Sequence, residues 1–600
     1  MSKRGYKGHP TRILTFKKPK DDSDINLGNM SDSEPQMVDL GDYLFARFKQ
    51  LGVDSVFGVP GDFNLTLLDH VYNVDMRWVG NTNELNAGYS ADGYSRVKRL
   101  ACLVTTFGVG ELSAVAAVAG SYAEHVGVVH VVGVPSTSAE NKHLLLHHTL
   151  GNGDFRVFAQ MSKLISEYTH HIEDPSEAAD VIDTAIRIAY THQRPVYIAV
   201  PSNFSEVDIA DQARLDTPLD LSLQPNDPES QYEVIEEICS RIKAAKKPVI
   251  LVDACASRYR CVDETKELAK ITNFAYFVTP MGKGSVDEDT DRYGGTYVGS
   301  LTAPATAEVV ETADLIISVG ALLSDFNTGS FSYSYSTKNV VELHSDHVKI
   351  KSATYNNVGM KMLFPPLLEA VKKLVAETPD FASKALAVPD TTPKIPEVPD
   401  DHITTQAWLW QRLSYFLRPT DIVVTETGTS SFGIIQTKFP HNVRGISQVL
   451  WGSIGYSVGA ACGASIAAQE IDPQQRVILF VGDGSLQLTV TEISCMIRNN
   501  VKPYIFVLNN DGYTIERLIH GENASYNDVH MWKYSKILDT FNAKAHESIV
   551  VNTKGEMDAL FDNEEFAKPD KIRLIEVMCD KMDAPASLIK QAELSAKTNV

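Results

Sequence analysis

Two short polar signals, Gly482-Asp483-Gly484 and Asn509-Asn510, close two apolar runs in the C-terminal third of the chain, "RVILFVGD" and "KPYIFVLNN". Between them lies a helix-like stretch, so the segment reads as one βαβ unit with polar residues at both strand ends. In a parallel sheet the C-terminal ends of neighbouring strands lie side by side, and ligands bind in the crevice beyond them. Asp483 and Asn510 are therefore expected to face each other across one small site. A carboxylate, an amide oxygen and the Gly512 carbonyl would leave room in an octahedron for phosphate oxygens and water, as Mg²⁺ holding a diphosphate requires. Gly482 and Gly484 let the backbone approach closely, and a helix starting at Ser485 would offer its N-terminal amides to the anion. The bland alternative is a pair of turn signals; their placement at two strand ends on either side of a helix favours the ligand site.

Three other places hold residues able to do chemistry. Glu84, in "RWVGNTNELNAGYSADGYSR", falls at a strand-to-helix junction and is followed by the small residues Ala87, Gly88, Ser90, Ala91 and Gly93. Taken alone it is a first-turn acid favoured by the helix dipole. His147 and His148, in "LLLHHTLGNGD", follow an apolar run and precede a glycine-rich turn. As metal ligands they are disfavoured, because adjacent residues on an extended chain point to opposite sides and no third ligand stands at a recognised spacing. Alone, the pair supports no more than a polar turn. Cys255, in "VDACASR", sits at a strand end, where a buried thiol is the plain reading.

The elements that must position these residues follow from the wider pattern. At 600 residues the chain exceeds one core, and about three domains are expected. Short apolar runs alternate with helix-like stretches throughout, the signature of α/β units with mostly parallel sheets. Three successive doubly wound domains are expected: 38–205, 206–377 and 403–600. They follow a basic then acidic N-terminal arm, 1–37, and a linker with five prolines joins the last two, 378–402. The composition, 44% hydrophobic and 22% charged, is that of a soluble globular protein. The net charge of −21 argues against a nucleic-acid partner, and no uncharged apolar stretch reaches bilayer length. Seven scattered cysteines without CxxC pairs point to reduced thiols and a cytoplasmic home, with the nucleus a lesser alternative.

The Gly-Asp-Gly to Asn-Asn arrangement resembles the thiamine-diphosphate signature, and more of the chain resembles the fungal-type pyruvate decarboxylases within that family. The resemblance runs from about Val38 to the C-terminus. It is carried by "FGVPGDFNLTLLD", "NELNAGYSADGYSR", "TTFGVGELSA", "GSYAEHVGVVHVVGVP", "LLLHHTLGNGDF", "TPMGKGS", "LLSDFNTGSFSYSY", "SQVLWGSIG", "RVILFVGDGSLQLT" and "FVLNNDGYTIERLIHG". It implies the thiamine-diphosphate-binding fold, thiamine diphosphate with Mg²⁺, and non-oxidative decarboxylation of a 2-oxo acid, most readily pyruvate to acetaldehyde, through an ylide and an enamine.

Residue by residue, the resemblance makes Asp62, Glu84, His147, His148 and Glu516 catalytic, and Asp483, Asn510 and Gly512 the metal ligands. It places Thr429, Gly452, Ile454, Gly484 and Ser485 against the cofactor, with Ile454 wedged under its rings, and Glu84 on the far nitrogen of the aminopyrimidine. It lines the substrate pocket with Asp62, His148, Thr427, Ser431, Ile515, Glu516 and Ile519. Ser431 stands where relatives usually carry alanine, a change expected to shrink and polarise the wall and to favour a small substrate. Cys255 and His125 occupy the family's regulatory positions, and active sites are implied at a dimer interface, with dimers pairing into tetramers. Larger branched or aromatic 2-oxo acids are an open variant, and a thiamine-diphosphate-sensing regulatory homologue is the rival class. The intact acid–base set favours the enzyme, because three proton transfers in different directions call for several groups titrating near neutrality.

Overall fold

A computed structural model of the chain describes residues 36–378, Phe381 and 386–598. Of the expected arm, only Gln36 and Met37 fall among these residues. Met37 already opens a strand, Met37–Asp39, paired antiparallel with Asp208–Asp211.

Three sheets carry the fold. The first runs Arg77–Trp78, Ser55–Gly58, Ala101–Thr106, Val128–Val134, Val196–Pro201, Tyr168–His171, all parallel. The last runs Arg444–Ile446, Ile422–Thr425, Val477–Gly482, Tyr504–Asn509, Ile572–Met578, His546–Val551, again all parallel. Numbered in chain order within each, both sheets read 2-1-3-4-6-5. Val128–Val134 and Tyr504–Asn509 are buried along their whole length, which explains their unbroken apolar character: helices cover both faces.

The middle sheet departs from that order. It runs Tyr293–Thr296, Ala275–Val278, Pro248–Val252, Leu315–Val319, Val340–Leu343, His347–Ile350, Ala353–Asn356, a 3-2-1-4-5-6-7 order whose last two pairings are antiparallel. The mostly parallel α/β class holds, but the three units are not copies of one topology. The described part of the proline-rich stretch, 386–402, has neither helix nor strand, yet it is pinned. Leu386 and Val388 pack on the middle unit and Val398 on the last one.

The first and last units meet through two equivalent helices, Glu84–Lys98 and Tyr456–Ile471, each following the second strand of its sheet. The small residues after Glu84 make this approach possible. A Cβ on Gly93 would stand 2.1 Å from the Ala460 carbonyl oxygen, and one on Gly463 would stand 1.8 Å from that of Ser90. Buried carboxylates latch the joint. Glu470 accepts from Tyr94 Oη and Ser55 Oγ, each at 2.6 Å, and Glu492 accepts from Asn81 Nδ2 at 2.6 Å and Ser90 Oγ at 3.0 Å.

Candidate active site

The helix after Val477–Gly482 begins at Asp483, two residues earlier than the expected start at Ser485, and this turns the carboxylate inward. Asp483 is buried; its Oδ1 accepts from the Gly484 amide at 2.8 Å and its Oδ2 from the Gly512 amide at 3.0 Å. Burial pushes its carboxyl up to about 6. The neighbouring strand, Tyr504–Asn509, delivers Asn510 to the opposite side, as the βαβ reading requires. The Asn510 nitrogen donates to Thr514 Oγ1 at 2.6 Å, and its side-chain oxygen stands 3.1 Å from both Asp483 Oδ1 and the Gly512 carbonyl oxygen.

Three acceptor oxygens facing one another repel unless a cation or a donor lies among them. Turning the amide by half a turn would place its nitrogen there as a donor. The oxygen set as it stands fits a hard divalent cation. Gly512 has φ +116°, and a Cβ there would meet the Asn527 carbonyl oxygen at 2.4 Å, so only glycine presents its carbonyl in this way.

The strand ends next door shape the remaining walls. Gly428, with φ +106°, precedes the short helix Thr429–Gly433, and Gly452, with φ +63°, leads to Ile454, which is exposed. Glu426, at the end of Ile422–Thr425, holds this corner together and is a residue that sequence reasoning missed. Its buried carboxylate accepts from the amides of Thr427 at 3.0 Å, Gly455 at 3.2 Å and Ser457 at 3.3 Å, and from Ser457 Oγ at 2.6 Å. Burial pushes it up to about 7. Its only signal in sequence was a carboxylate at a strand end within "ETGTSS". The Ser431 hydroxyl donates to the Gly428 carbonyl at 3.0 Å, which fixes its direction. Thr427 Oγ1 likewise donates to the Gln448 carbonyl, at 3.0 Å. Ile515 and Ile519 are half-buried on or beside the helix Thr514–Ile519, which also carries an exposed Glu516 whose carboxyl burial by surrounding protein raises.

In the first unit, Glu84 is the opening residue of its helix, capped by Asn83, and burial raises its carboxyl. Its Oε1 approaches Gly110, where a Cβ would stand 3.0 Å away, beside the methyl of Thr106, whose own buried hydroxyl has no partner. The histidines do not point apart, contrary to the extended-chain argument. His148 takes φ +65°, the chain turns, and the two rings approach to 4.5 Å between centroids. Both face Asp62: His147 Nε2 lies 2.7 Å from Asp62 Oδ2 and His148 Nε2 lies 4.0 Å from Asp62 Oδ1. Phe63 stacks on His147 at 5.1 Å. The geometric objection to a shared ligand thus fails, although the expected acid–base grouping of the three residues is what the structure assembles.

Glu516 stands apart from that group. Among the described residues no hydrogen bond or ion pair joins it to Asp62, His147 or His148, nor Glu84 to Asp483. Farther away, Cys255 is buried and its thiol is pushed up to about 12, so it is protonated at neutral pH and a poor nucleophile. Burial drives His125 down to about 3, and its Nδ1 lies 2.8 Å from Tyr259 Oη.

Three families match the chain in succession: thiamine pyrophosphate enzyme, N-terminal TPP binding domain, over residues 38–155; its central domain over 235–370; and its C-terminal TPP binding domain over 426–577. The chain is 58% identical over 565 residues to a pyruvate decarboxylase of Kluyveromyces lactis, and equally so over 565 residues to pyruvate decarboxylase isozyme 1 of Saccharomyces cerevisiae. It is 58% identical over 572 residues to a pyruvate decarboxylase of Candida albicans. Each comparison covers 94% of this chain and 99% of the relative.

Proposed function

The chain belongs to the pyruvate decarboxylase family of thiamine pyrophosphate enzymes, and from that premise we propose that it converts pyruvate to acetaldehyde and carbon dioxide. The observation that carries the proposal is the convergence of the Asp483 carboxylate, the Asn510 amide and the Gly512 carbonyl in a chain that also clusters Asp62, His147 and His148. Thiamine diphosphate, when bound with Mg²⁺, supplies the nucleophilic carbon and the electron sink for breaking the carbon–carbon bond.

The chain's own residues hold, orient and move protons. Asp483, Asn510 and the Gly512 carbonyl would hold the metal, with Gly484 and Ser485 against the diphosphate and Thr429, Gly452 and Ile454 against the rest of the cofactor. Glu84, whose carboxyl burial raises, would hold a proton against the aminopyrimidine ring nitrogen. Asp62, His147, His148 and Glu516 would share three transfers: a proton to the 2-oxo oxygen, a proton to the carbon that loses CO₂, and removal of the hydroxyl proton that lets acetaldehyde leave.

The lack, among the described residues, of any hydrogen bond or ion pair between Glu516 and the histidine cluster supports a site completed by a second copy of the chain. So do exposed apolar side chains on both halves: Leu144, Leu145 and Leu150 around the histidines, and Leu450, Trp451, Ile454 and Leu488 near the cofactor walls. A homodimer, paired again into a tetramer, is the assembly this reading favours. Seven free cysteines support a reducing, cytoplasmic setting, and among the described residues no helix is long and apolar enough to cross a membrane. A regulatory role for Cys255 and His125 would require both to be uncovered first.

The test is direct. Purified protein with Mg²⁺, thiamine diphosphate and pyruvate, coupled to alcohol dehydrogenase, should consume NADH, and kcat/KM should be higher for pyruvate than for branched or aromatic 2-oxo acids. No NADH loss with any 2-oxo acid would overturn the reading.

A further inference from the structure

An asparagine holds a hard cation through its amide oxygen, so Asn510 serves the site beside Asp483 in one orientation and not in the other. With the oxygen inward, it stands 3.1 Å from both Asp483 Oδ1 and the Gly512 carbonyl oxygen; turned by half a turn, the amide nitrogen donates to both at that distance. The second orientation relieves the repulsion among three acceptors without any cation. Asp483 and Gly512 by themselves thus favour the face of the amide that cannot bind a metal. A group on the outer side must oppose them.

That side of the amide meets Thr514 Oγ1 at 2.6 Å. Asn510 is 4% and Thr514 2% exposed, so bulk water does not replace the contact. A hydroxyl has one proton to give and two lone pairs to accept with. Thr514 gives its proton to the Lys581 carbonyl at 2.9 Å, and it is that carbonyl's donor among the described residues. The Lys581 side chain is tied to the same loop, its Nζ 3.1 Å from Asp511 Oδ2 and 3.5 Å from Asp528 Oδ1. With its proton committed to Lys581, Thr514 can only accept from Asn510. It therefore requires the amide nitrogen on the outside, which leaves the oxygen on the inside. A reversed amide would draw the Thr514 proton to itself and strand the Lys581 carbonyl, a cost that offsets the relief gained beside Asp483.

We propose that Thr514 is a positioning residue: with its proton held by the Lys581 carbonyl, it keeps the Asn510 amide oxygen turned toward the cation site. The proposal rests on the metal-site reading given above and deepens it. Thr514 acts on the cation through Asn510 alone.

The experiment is a titration of Mn²⁺, a hard divalent replacement for Mg²⁺, into the full chain with excess thiamine diphosphate. Free ion is followed by paramagnetic resonance, and a blank without protein is subtracted. Thr514→Val removes the hydroxyl at nearly constant shape and should weaken Mn²⁺ binding by about tenfold, the scale for loss of a partner that orients a metal ligand. Thr514→Ser keeps the hydroxyl and should bind as wild type does. Unfolding temperatures are recorded in parallel with and without the ion. A bound ion stabilises the fold more the tighter it binds, so the rise it produces should be smaller in Thr514→Val than in wild type. A hydroxyl with a merely structural role would lower both curves together and leave Mn²⁺ affinity intact. Should Thr514→Val fail to fold, Thr514→Ala lacks the same hydroxyl and carries the same prediction. Wild-type affinity in a folded variant without the hydroxyl, or a Thr514→Ser variant as weak as Thr514→Val, would overturn this proposal alone. Failure of the wild-type chain to bind Mn²⁺ would overturn the metal-site reading and the proposal with it.

Discussion

The first and last sheets share one strand order and one direction, yet their C-terminal ends do different chemistry. In the first sheet, the loops beyond the strands carry Asp62, Glu84, His147 and His148, the groups proposed to give and take protons. In the last, the matching loops carry Glu426, which holds a corner together, and Gly452, Asp483, Asn510 and Gly512, the groups proposed to admit an anion and hold a cation. The contrast is sharpest after the third strand: Gly108 and Gly110 lead to a glutamate, Glu111, held by Tyr197 at 2.9 Å and the Gly108 amide at 2.8 Å, where the last sheet has Gly482, Asp483 and Gly484. Topology therefore sets where a site can be and loop residues set what it does.

If that division is real, substitutions on the two sheets should fail differently. Glu84→Gln should lower kcat by about a thousandfold, the scale of positioned proton transfer, while thiamine diphosphate still binds; steady-state kinetics beside calorimetry separates the two, and near-normal turnover would break the comparison. Glu426 offers a pH test of the opposite sheet. Its carboxyl lies at about 7 when folded against an ordinary 4.5, so its neutral form stabilises the fold. That stability is present below about pH 4.5 and is lost as pH rises through about 7, roughly 3 kcal/mol in all. Unfolding temperatures of wild type and Glu426→Gln should diverge in the variant's favour as pH is raised from 4.5 to 8, and parallel curves would refute the burial account. Asp483→Ala should weaken Mg²⁺-dependent cofactor binding by about a hundredfold, with turnover partly restored by excess cofactor, a rescue that Glu84→Gln must not show. The smallest effect is expected at the joint between the sheets. Gly463→Ala overpacks the helix pair against the Ser90 carbonyl and should cost about 1–3 kcal/mol, read as a lower unfolding temperature with unchanged KM.

The last sheet's site was legible in the sequence because both its signals are local: a Gly-Asp-Gly and an Asn-Asn, each ending an apolar run. Glu84 was legible as a helix-opening acid followed by small residues, and those residues do pack on the Tyr456–Ile471 helix. The convergence of His147 and His148 was not. It depends on the left-handed turn at His148 and on Gly108, where a Cβ would stand 2.1 Å from the His148 carbonyl oxygen, a tertiary contact that no spacing rule contains. Nor was the middle sheet's order legible, since apolar periodicity identifies strands without ranking neighbours. Glu426 went unseen because its distant partners, Gly455 and Ser457, are brought to it only by the adjacent strand and the helix beyond.

The central claim is that proton-handling groups of one chain serve the cofactor clamp of another. It is tested most directly by mixing. Glu84→Gln chains and Asp483→Ala chains, each strongly impaired alone at limiting cofactor, are unfolded together, refolded in equal amounts and assayed with pyruvate, Mg²⁺ and limiting thiamine diphosphate. Mixed dimers would contain one intact site of two, so recovery of about a quarter of wild-type activity is predicted for random pairing of a two-fold assembly. Activity no higher than the sum of the separate variants would contradict the account and place both sets of residues in a single chain's site.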